Sequence, residues 1–216
     1  MINKYIDHTV LKAVSTVEDI NKLCEEAKTY GFYSVCVNGA YVSMCKKNLT
    51  GTDVKIAAVV GFPLGAMDSS VKVYEAAKAI ADGATEIDMV INVGMLKSKN
   101  LEYVESEIRA IKNAIGDNVL KVIIETCYLT DDEKRIACEL SLNAGADYVK
   151  TSTGFGTGGA TYEDVKLMKE VVGDKALVKA SGGVKSYEIA KKYIELGASR
   201  LGTSSGIEII NGEKGE

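Results

Sequence analysis

The segment Gly145-Ala146-Asp147-Tyr148-Val149-Lys150-Thr151-Ser152-Thr153-Gly154 decides how the chain folds. Gly145 closes a helical pattern, Tyr148 and Val149 are strand formers, and beyond Lys150 the chain passes into hydroxyls and glycines through Phe155-Gly156-Thr157-Gly158-Gly159. That composition weakens a strand interior and suits a loop whose backbone a ligand can approach. The same helix, Gly-Ala, strand joint returns at Gly83-Ala84 and Gly197-Ala198. A second strand, Ala176-Leu177-Val178-Lys179, also ends in lysine before the small residues Ala180-Ser181-Gly182-Gly183. One lysine at a strand end is more often a solvated edge residue. Two in the same setting point to amine chemistry.

Working outward from that segment, strands are expected at 5–9, 33–38, 54–60, 86–92, 119–125, 147–150, 176–179 and 199–202. The stretch 119–125 is nearly continuous apolar, as in a strand covered on both faces. Between the strands lie helical patterns. Ser15-Thr16-Val17-Glu18 and Thr130-Asp131-Asp132-Glu133 read as capping boxes, Gly31 closes the first helix, and Asn100 caps a helix whose core face is Leu101, Val104, Ile108, Ile111 and Ile115. Further helices are expected from about 40, over 70–82, 161–172 and 186–196, and after 206. The one proline, Pro63, stands at a strand-to-loop boundary, where it removes no ladder bond. Strands alternating with helices give a parallel sheet, and eight units in 216 residues favour a closed (β/α)8 barrel, a single domain spanning 1–216. The alternative, an open doubly wound sheet, lacks its Gly-x-Gly-x-x-Gly fingerprint after the first strand.

Composition narrows the function. The charged fraction is 26% with a net charge of −4, without the basic stripe a nucleic-acid binder needs. No apolar run approaches about 18 residues, so no membrane span is expected, and the polar N-terminus predicts a cytoplasmic protein. Cys24, Cys36, Cys45, Cys127 and Cys138 form no Cys-x-x-Cys pair, which suits reduced thiols. The single histidine, His8, leaves no set for a catalytic zinc site and few ways to build a serine triad. It is read as orienting its neighbours. No metal and no cofactor are expected.

In a barrel the strand C-termini converge on one face, which here gathers Asp7, Cys36, Asp88, Glu125, Lys150 and Lys179. Asp88 lies in an apolar strand, where a carboxylate requires a partner, so it is either a structural ion pair or an acid/base. Cys36 needs no role as a small buried hydrophobe. Two ammonium groups ~4 Å apart at an effective dielectric of ~20 repel by about 4 kcal/mol, which would bring a lysine from ~10.4 towards ~7.5. An amine so released can condense with a carbonyl. Gly182-Gly183 and Ser204-Ser205-Gly206 are expected to open helices after strands seven and eight, where barrels often hold phosphate.

Asp7-His8-Thr9 with Leu11, Ser34-Val35-Cys36-Val37-Asn38, Val60-Gly61-Phe62-Pro63, Glu86-Ile87-Asp88-Met89-Val90, Lys121 to Thr126, Lys150 to Gly154, Lys179 to Gly183 and Gly202-Thr203-Ser204-Ser205 together resemble the deoxyribose-phosphate aldolases, class I aldolases, over nearly the whole chain. The resemblance implies reversible cleavage of 2-deoxy-D-ribose 5-phosphate to D-glyceraldehyde 3-phosphate and acetaldehyde without metal. It implies a Schiff base on Lys150, with Lys179 lowering its pKa and sharing proton transfer with Asp88 through a water. Asp7, Thr9, Cys36 and Thr153 would line the substrate, and Gly154, Gly182, Gly183, Ser204 and Ser205 would hold the phosphate. Partners would be the phosphosugar and aldehyde substrates and further copies of the chain, as a dimer or tetramer. Phe155 stands where some members carry lysine, and no tyrosine follows Tyr193; both departures bear on phosphate affinity and proton exchange rather than on reaction type. A phosphosugar isomerase using Asp88 as base, or a sugar-phosphate sensor, would share the phosphate turns but need no paired lysines.

Overall fold

The computed structural model describes residues 1–215. Strands and helices alternate as β1 (Ile6–Val10), α1 (Val17–Tyr30), β2 (Ser34–Val37), α2 (Val42–Asn48), β3 (Lys55–Val60), α3 (Ser69–Asp82), β4 (Glu86–Val90), α4 (Val93–Lys97), α5 (Leu101–Ile115), β5 (Val119–Ile123), α6 (Asp131–Asn143), β6 (Tyr148–Lys150), α7 (Tyr162–Val172), β7 (Leu177–Ser181), α8 (Tyr187–Glu195), β8 (Ala198–Thr203) and α9 (Gly206–Gly215). The strands pair in parallel and in chain order, and β8 returns to β1, so the sheet closes into the expected (β/α)8 barrel.

Local chemistry explains the boundaries. Asp68, Asn100, Thr130, Thr161 and Ser186 each accept a backbone N–H in the first turn of the helix that follows. Gly31 and Gly83 end α1 and α3 at φ of 64° and 116°, conformations that a side chain would strain. Three details differ from expectation. The first capping box is Thr16 with Asp19 rather than Ser15 with Glu18, because Asp19 Oδ2 returns to the Thr16 N–H at 2.8 Å. The strand expected over 86–92 stops at Val90, and Asn92 caps the short α4 by accepting from Met95 N at 3.1 Å. Gly182-Gly183 does not open α8, which starts after the cap Ser186.

The sheet divides the apolar residues into two clusters. The larger fills the shell between strands and helices, with Val35, Ile87, Val122, Val149 and Leu201 facing Ile108, Ile111, Val165 and Met168. Burying each such side chain contributes roughly 1.5–3 kcal/mol. The smaller consists of Cys36, Ala57 and Val59 with Leu11 and Phe62 packed against it, on the opposite face of the sheet. The remaining inward positions carry charge.

Candidate active site

Strand register places these charges. Side chains alternate along a strand, and register partners point to the same face. Asp7 pairs with Ser34 and Gly202, Asp88 with Lys121, Lys121 with Tyr148, Lys150 with Lys179, and Lys179 with Arg200. All of these side chains therefore turn into the barrel, where the bulky branched residues common in barrel interiors are replaced by a lattice of ion pairs. Gly202 provides room for one of them, since a Cβ there would lie 3.1 Å from Lys179 Cε.

Asp88 is the junction. Its Oδ2 accepts from Lys150 Nζ at 2.6 Å and from Lys179 Nζ at 2.7 Å, and its Oδ1 accepts from Lys121 Nζ at 2.8 Å. Lys179 also donates to Asp7 Oδ2. Asp7 Oδ1 is held by Ser34 Oγ at 2.6 Å and by Arg200 at 2.9 Å. Arg200 reaches Glu86 at 3.1 Å and the Tyr148 hydroxyl at 3.1 Å while stacking over the Tyr33 ring, and Glu86 lies 2.5 Å from Lys121. Burial alone would raise the Asp88 carboxyl; Lys121, Lys150 and Lys179 outweigh it and hold the group well below the carboxylate range. For Asp7, Lys179, Lys121 and Arg200 likewise overcome burial and lower the carboxyl. The two lysines on Asp88 Oδ2 diverge. Burial pushes Lys150 down, Asp88 opposes the shift and Lys179 adds to it, leaving Lys150 below an ordinary lysine. Lys179 is buried as deeply, yet Asp7 and Asp88 together carry it above. Repulsion between the lysines, expected as the main cause, is thus smaller than desolvation, because Asp88 lies between them.

Only the upper edge of the lattice meets open space. A cavity of about 870 Å³ is lined by Lys150 but not by Asp88 or Lys179, whose side chains are fully buried. Thr9, Thr153, Gly154, Gly182, Gly183, Ser204 and Ser205 border the cavity, so the expected substrate residues converge. Asp7 and Cys36 do not border it; they lie deeper, Asp7 in the lattice and Cys36 in the small inner cluster. Gly182 and Gly183 are consecutive residues at φ 85°, so they meet the cavity as a turn and not as a helix N-terminus. Ser205 N donates to Thr203 Oγ1 at 2.8 Å, and α9 starts at the next residue, presenting its N-terminal end to the cavity. Glu125, itself at φ 54°, accepts from Thr153 N at 3.1 Å and from Thr153 Oγ1, fixing the loop that follows Lys150. Phe155 closes the rim, edge-on to Phe62 with ring centroids 5.3 Å apart. His8 also borders the cavity, its Nε2 2.7 Å from Glu26.

The sequence reading did not recognise Lys121, Arg200, Glu86, Ser34 and Tyr148 as lattice members. What places them is register: Ser34 stands beside Asp7, Lys121 beside Asp88, Tyr148 beside Lys121 and Arg200 beside Lys179. Lys12, Lys22 and Lys185 border the cavity and were also unassigned. Among the described residues no group of three or more His, Cys, Asp or Glu is placed to hold a metal ion, and no helix is long and apolar enough to cross a membrane.

The model of the DeoC/LacD family aldolases matches residues 1–211. The chain belongs to the DeoC/LacD family of aldolases. Within that family it is 60% identical over 211 residues to the deoxyribose-phosphate aldolase of Finegoldia magna, covering 98% of this chain and 99% of the relative. Its identity to the Streptococcus pneumoniae deoxyribose-phosphate aldolase is 58% over 212 residues, with 98% and 96% covered. The tetrameric deoxyribose phosphate aldolase of Aeropyrum pernix superposes on this aldolase with a TM-score of 0.90 at 33% identity, covering 99% of this chain and 91% of that one. The aldolase is therefore a carbon–carbon lyase built on a (β/α)8 barrel.

Proposed function

We propose that this aldolase reversibly cleaves 2-deoxy-D-ribose 5-phosphate to D-glyceraldehyde 3-phosphate and acetaldehyde through a Schiff base on Lys150. The observation that carries the reading is the divergence of two lysines on one carboxylate oxygen. Lys150 is depressed and borders the cavity, whereas Lys179 is elevated and lies beneath it. The neutral Lys150 amine attacks the C1 aldehyde, and loss of water from the carbinolamine leaves an iminium. A base removes the C3 hydroxyl proton, the C2–C3 bond breaks, and its electron pair flows into the iminium to give an enamine. D-Glyceraldehyde 3-phosphate departs. The enamine takes a proton at C2, and water hydrolyses the resulting imine to acetaldehyde and free Lys150. In this reading Asp88 and the protonated Lys179, both linked to Lys150 through Asp88 Oδ2, exchange those protons through a water that enters with the substrate.

The substrate's phosphate takes the Gly182-Gly183 turn and the Ser204-Ser205 approach to α9, with Gly154 beside them. Thr9 and Thr153 face the sugar, and Asp7 and Cys36 support it from below. Chemistry carried by an imine needs neither metal nor cofactor. The reading includes a cytoplasmic homo-oligomer, which the tetramer of the Aeropyrum pernix relative supports. An isomerase would need no paired lysines, so the two lysines that share one Asp88 oxygen favour the aldolase reading. The test is borohydride reduction with acetaldehyde, followed by peptide mass mapping. A two-carbon adduct on Lys150 is expected; adducts confined to other lysines, or none, would overturn the reading.

A further inference from the structure

The lattice inside the barrel is not electrically balanced. Four cations, Lys121, Lys150, Lys179 and Arg200, share three carboxylates, Asp7, Glu86 and Asp88. The uncharged neighbours facing them are Ser34, the Cys36 thiol, and the Tyr33 and Tyr148 rings. The cations are unequally supplied. Lys121 contacts Asp88, Glu86 and, at 3.7 Å, Asp7; Lys179 contacts Asp7 and Asp88; Arg200 contacts Asp7 and Glu86. Lys150 has a single carboxylate oxygen, which it shares with Lys179. If one cation in a desolvated set of this kind gives up its proton, the set becomes neutral, and the worst-supplied member is the one that yields.

Arg200 cannot be that member, because a guanidinium does not deprotonate in proteins. It touches none of the cavity, lying beneath Lys179 with its fork divided between Asp7 and Glu86. By occupying Asp7 Oδ1 it leaves Oδ2 to Lys179, and by claiming part of Glu86 it reduces what Lys121 draws from that group.

We infer that Arg200 is a positioning residue for the reaction: it supplies the permanent positive charge that puts the lattice one cation in excess, and the excess is relieved at Lys150, the amine with the fewest carboxylate contacts. This inference rests on the Schiff-base reading and extends it to a side chain that never meets substrate. Arg200 acts through Asp7 and Lys179, and Glu86 is its counterweight. The two side chains should therefore move Lys150 in opposite directions.

The experiment measures the acid limb of kcat/KM against pH, which reports groups in the free enzyme, for wild type, Arg200→Gln, Arg200→Lys and Glu86→Gln. Arg200→Gln keeps a hydrogen-bond donor and removes the charge, so Lys150 holds its proton more tightly and the limb moves to higher pH. A unit charge about 10 Å away at an effective dielectric of ~20 corresponds to roughly one pH unit. Arg200→Lys restores the charge and should return the limb towards wild type. Glu86→Gln enlarges the excess and should move the limb to lower pH. A side chain that only braced the fold would lower activity or melting temperature in both glutamine variants without displacing the limb in opposite senses. If Arg200→Gln does not fold, Glu86→Gln alone decides: a downward limb supports the inference, and an unmoved or upward limb overturns it. Borohydride trapping on wild type separates the two readings. Absence of label on Lys150 would sink the Schiff base itself, whereas a labelled Lys150 with unmoved limbs would sink only the role of Arg200.

Discussion

Two depressed lysines lie in this barrel, on opposite sides of the same sheet. Lys72, on α3, is fully buried in the shell, paired with Glu107 at 2.9 Å and donating to Val90 O at 3.0 Å. Glu107 in turn accepts from Ser69 Oγ at 2.9 Å. Burial lowers Lys72 just as it lowers Lys150. The difference lies in what surrounds the amine. Lys72 has a carboxylate to itself and borders neither of the described cavities, whereas Lys150 shares its carboxylate oxygen and reaches open space. A perturbed lysine is thus no sign of chemistry on its own; it becomes one when the charge around it is contested and a ligand can arrive.

The comparison can be broken most severely at Lys150. Lys150→Met should reduce kcat by about 10⁴-fold or more, the scale on which removal of a covalent nucleophile is felt. The circular-dichroism melt should hold, because Asp88 keeps its bonds to Lys121 and Lys179 when Lys150 is removed. Residual turnover above a hundredth of wild type would return Lys150 to the same structural class as Lys72. The next effect belongs to the shell. Lys72→Met leaves Glu107 buried without its partner and should cost about 3–5 kcal/mol in denaturant unfolding, with kcat retained. A variant of wild-type stability and damaged turnover would show that Lys72 serves the reaction after all. The smallest effect sharpens the contrast. Lys72→Met with Glu107→Leu removes the balanced pair together and should lie within roughly 1.5 kcal/mol of wild type, since a satisfied buried pair gains little over apolar packing. If the double variant is as unstable as the single one, the shell pair specifies structure in a way its geometry does not reveal.

Much of this was legible in the chain before any coordinates. The Gly-Ala joints and the alternation of periods gave the barrel. Lys150 and Lys179 announced themselves by preceding a glycine-rich loop and a run of small residues, and Asp88 by standing among apolar neighbours, although Lys179 and Asp88 prove to be mid-strand. Arg200 and Glu86 did not, for a physical reason. A strand in a parallel barrel is covered on both faces, so the alternation that marks an inward residue on a half-exposed strand is blurred. Only register shows that Arg200 stands beside Lys179 and that Lys121 stands beside Asp88. The size of the Lys150–Lys179 repulsion was overread for the same reason: two strand ends imply proximity, but not the carboxylate lodged between them. The Gly182-Gly183 turn borders the cavity but does not open the helix expected of it, since α8 starts only after Ser186.

The depth ordering of the lysines has a consequence for how this molecule meets a mixed solution of electrophiles. Lys150 has 4% of its side chain exposed, whereas Lys121 and Lys179 have none. An acylating or carbonyl-bearing compound that passes the rim lysines Lys12, Lys22 and Lys185 therefore encounters one amine of the lattice, Lys121 and Lys179 both being sealed behind it. The barrel selects among chemically identical amines by address, and the pair that must keep their charge is shielded from glycation by the same wall that sets their protonation.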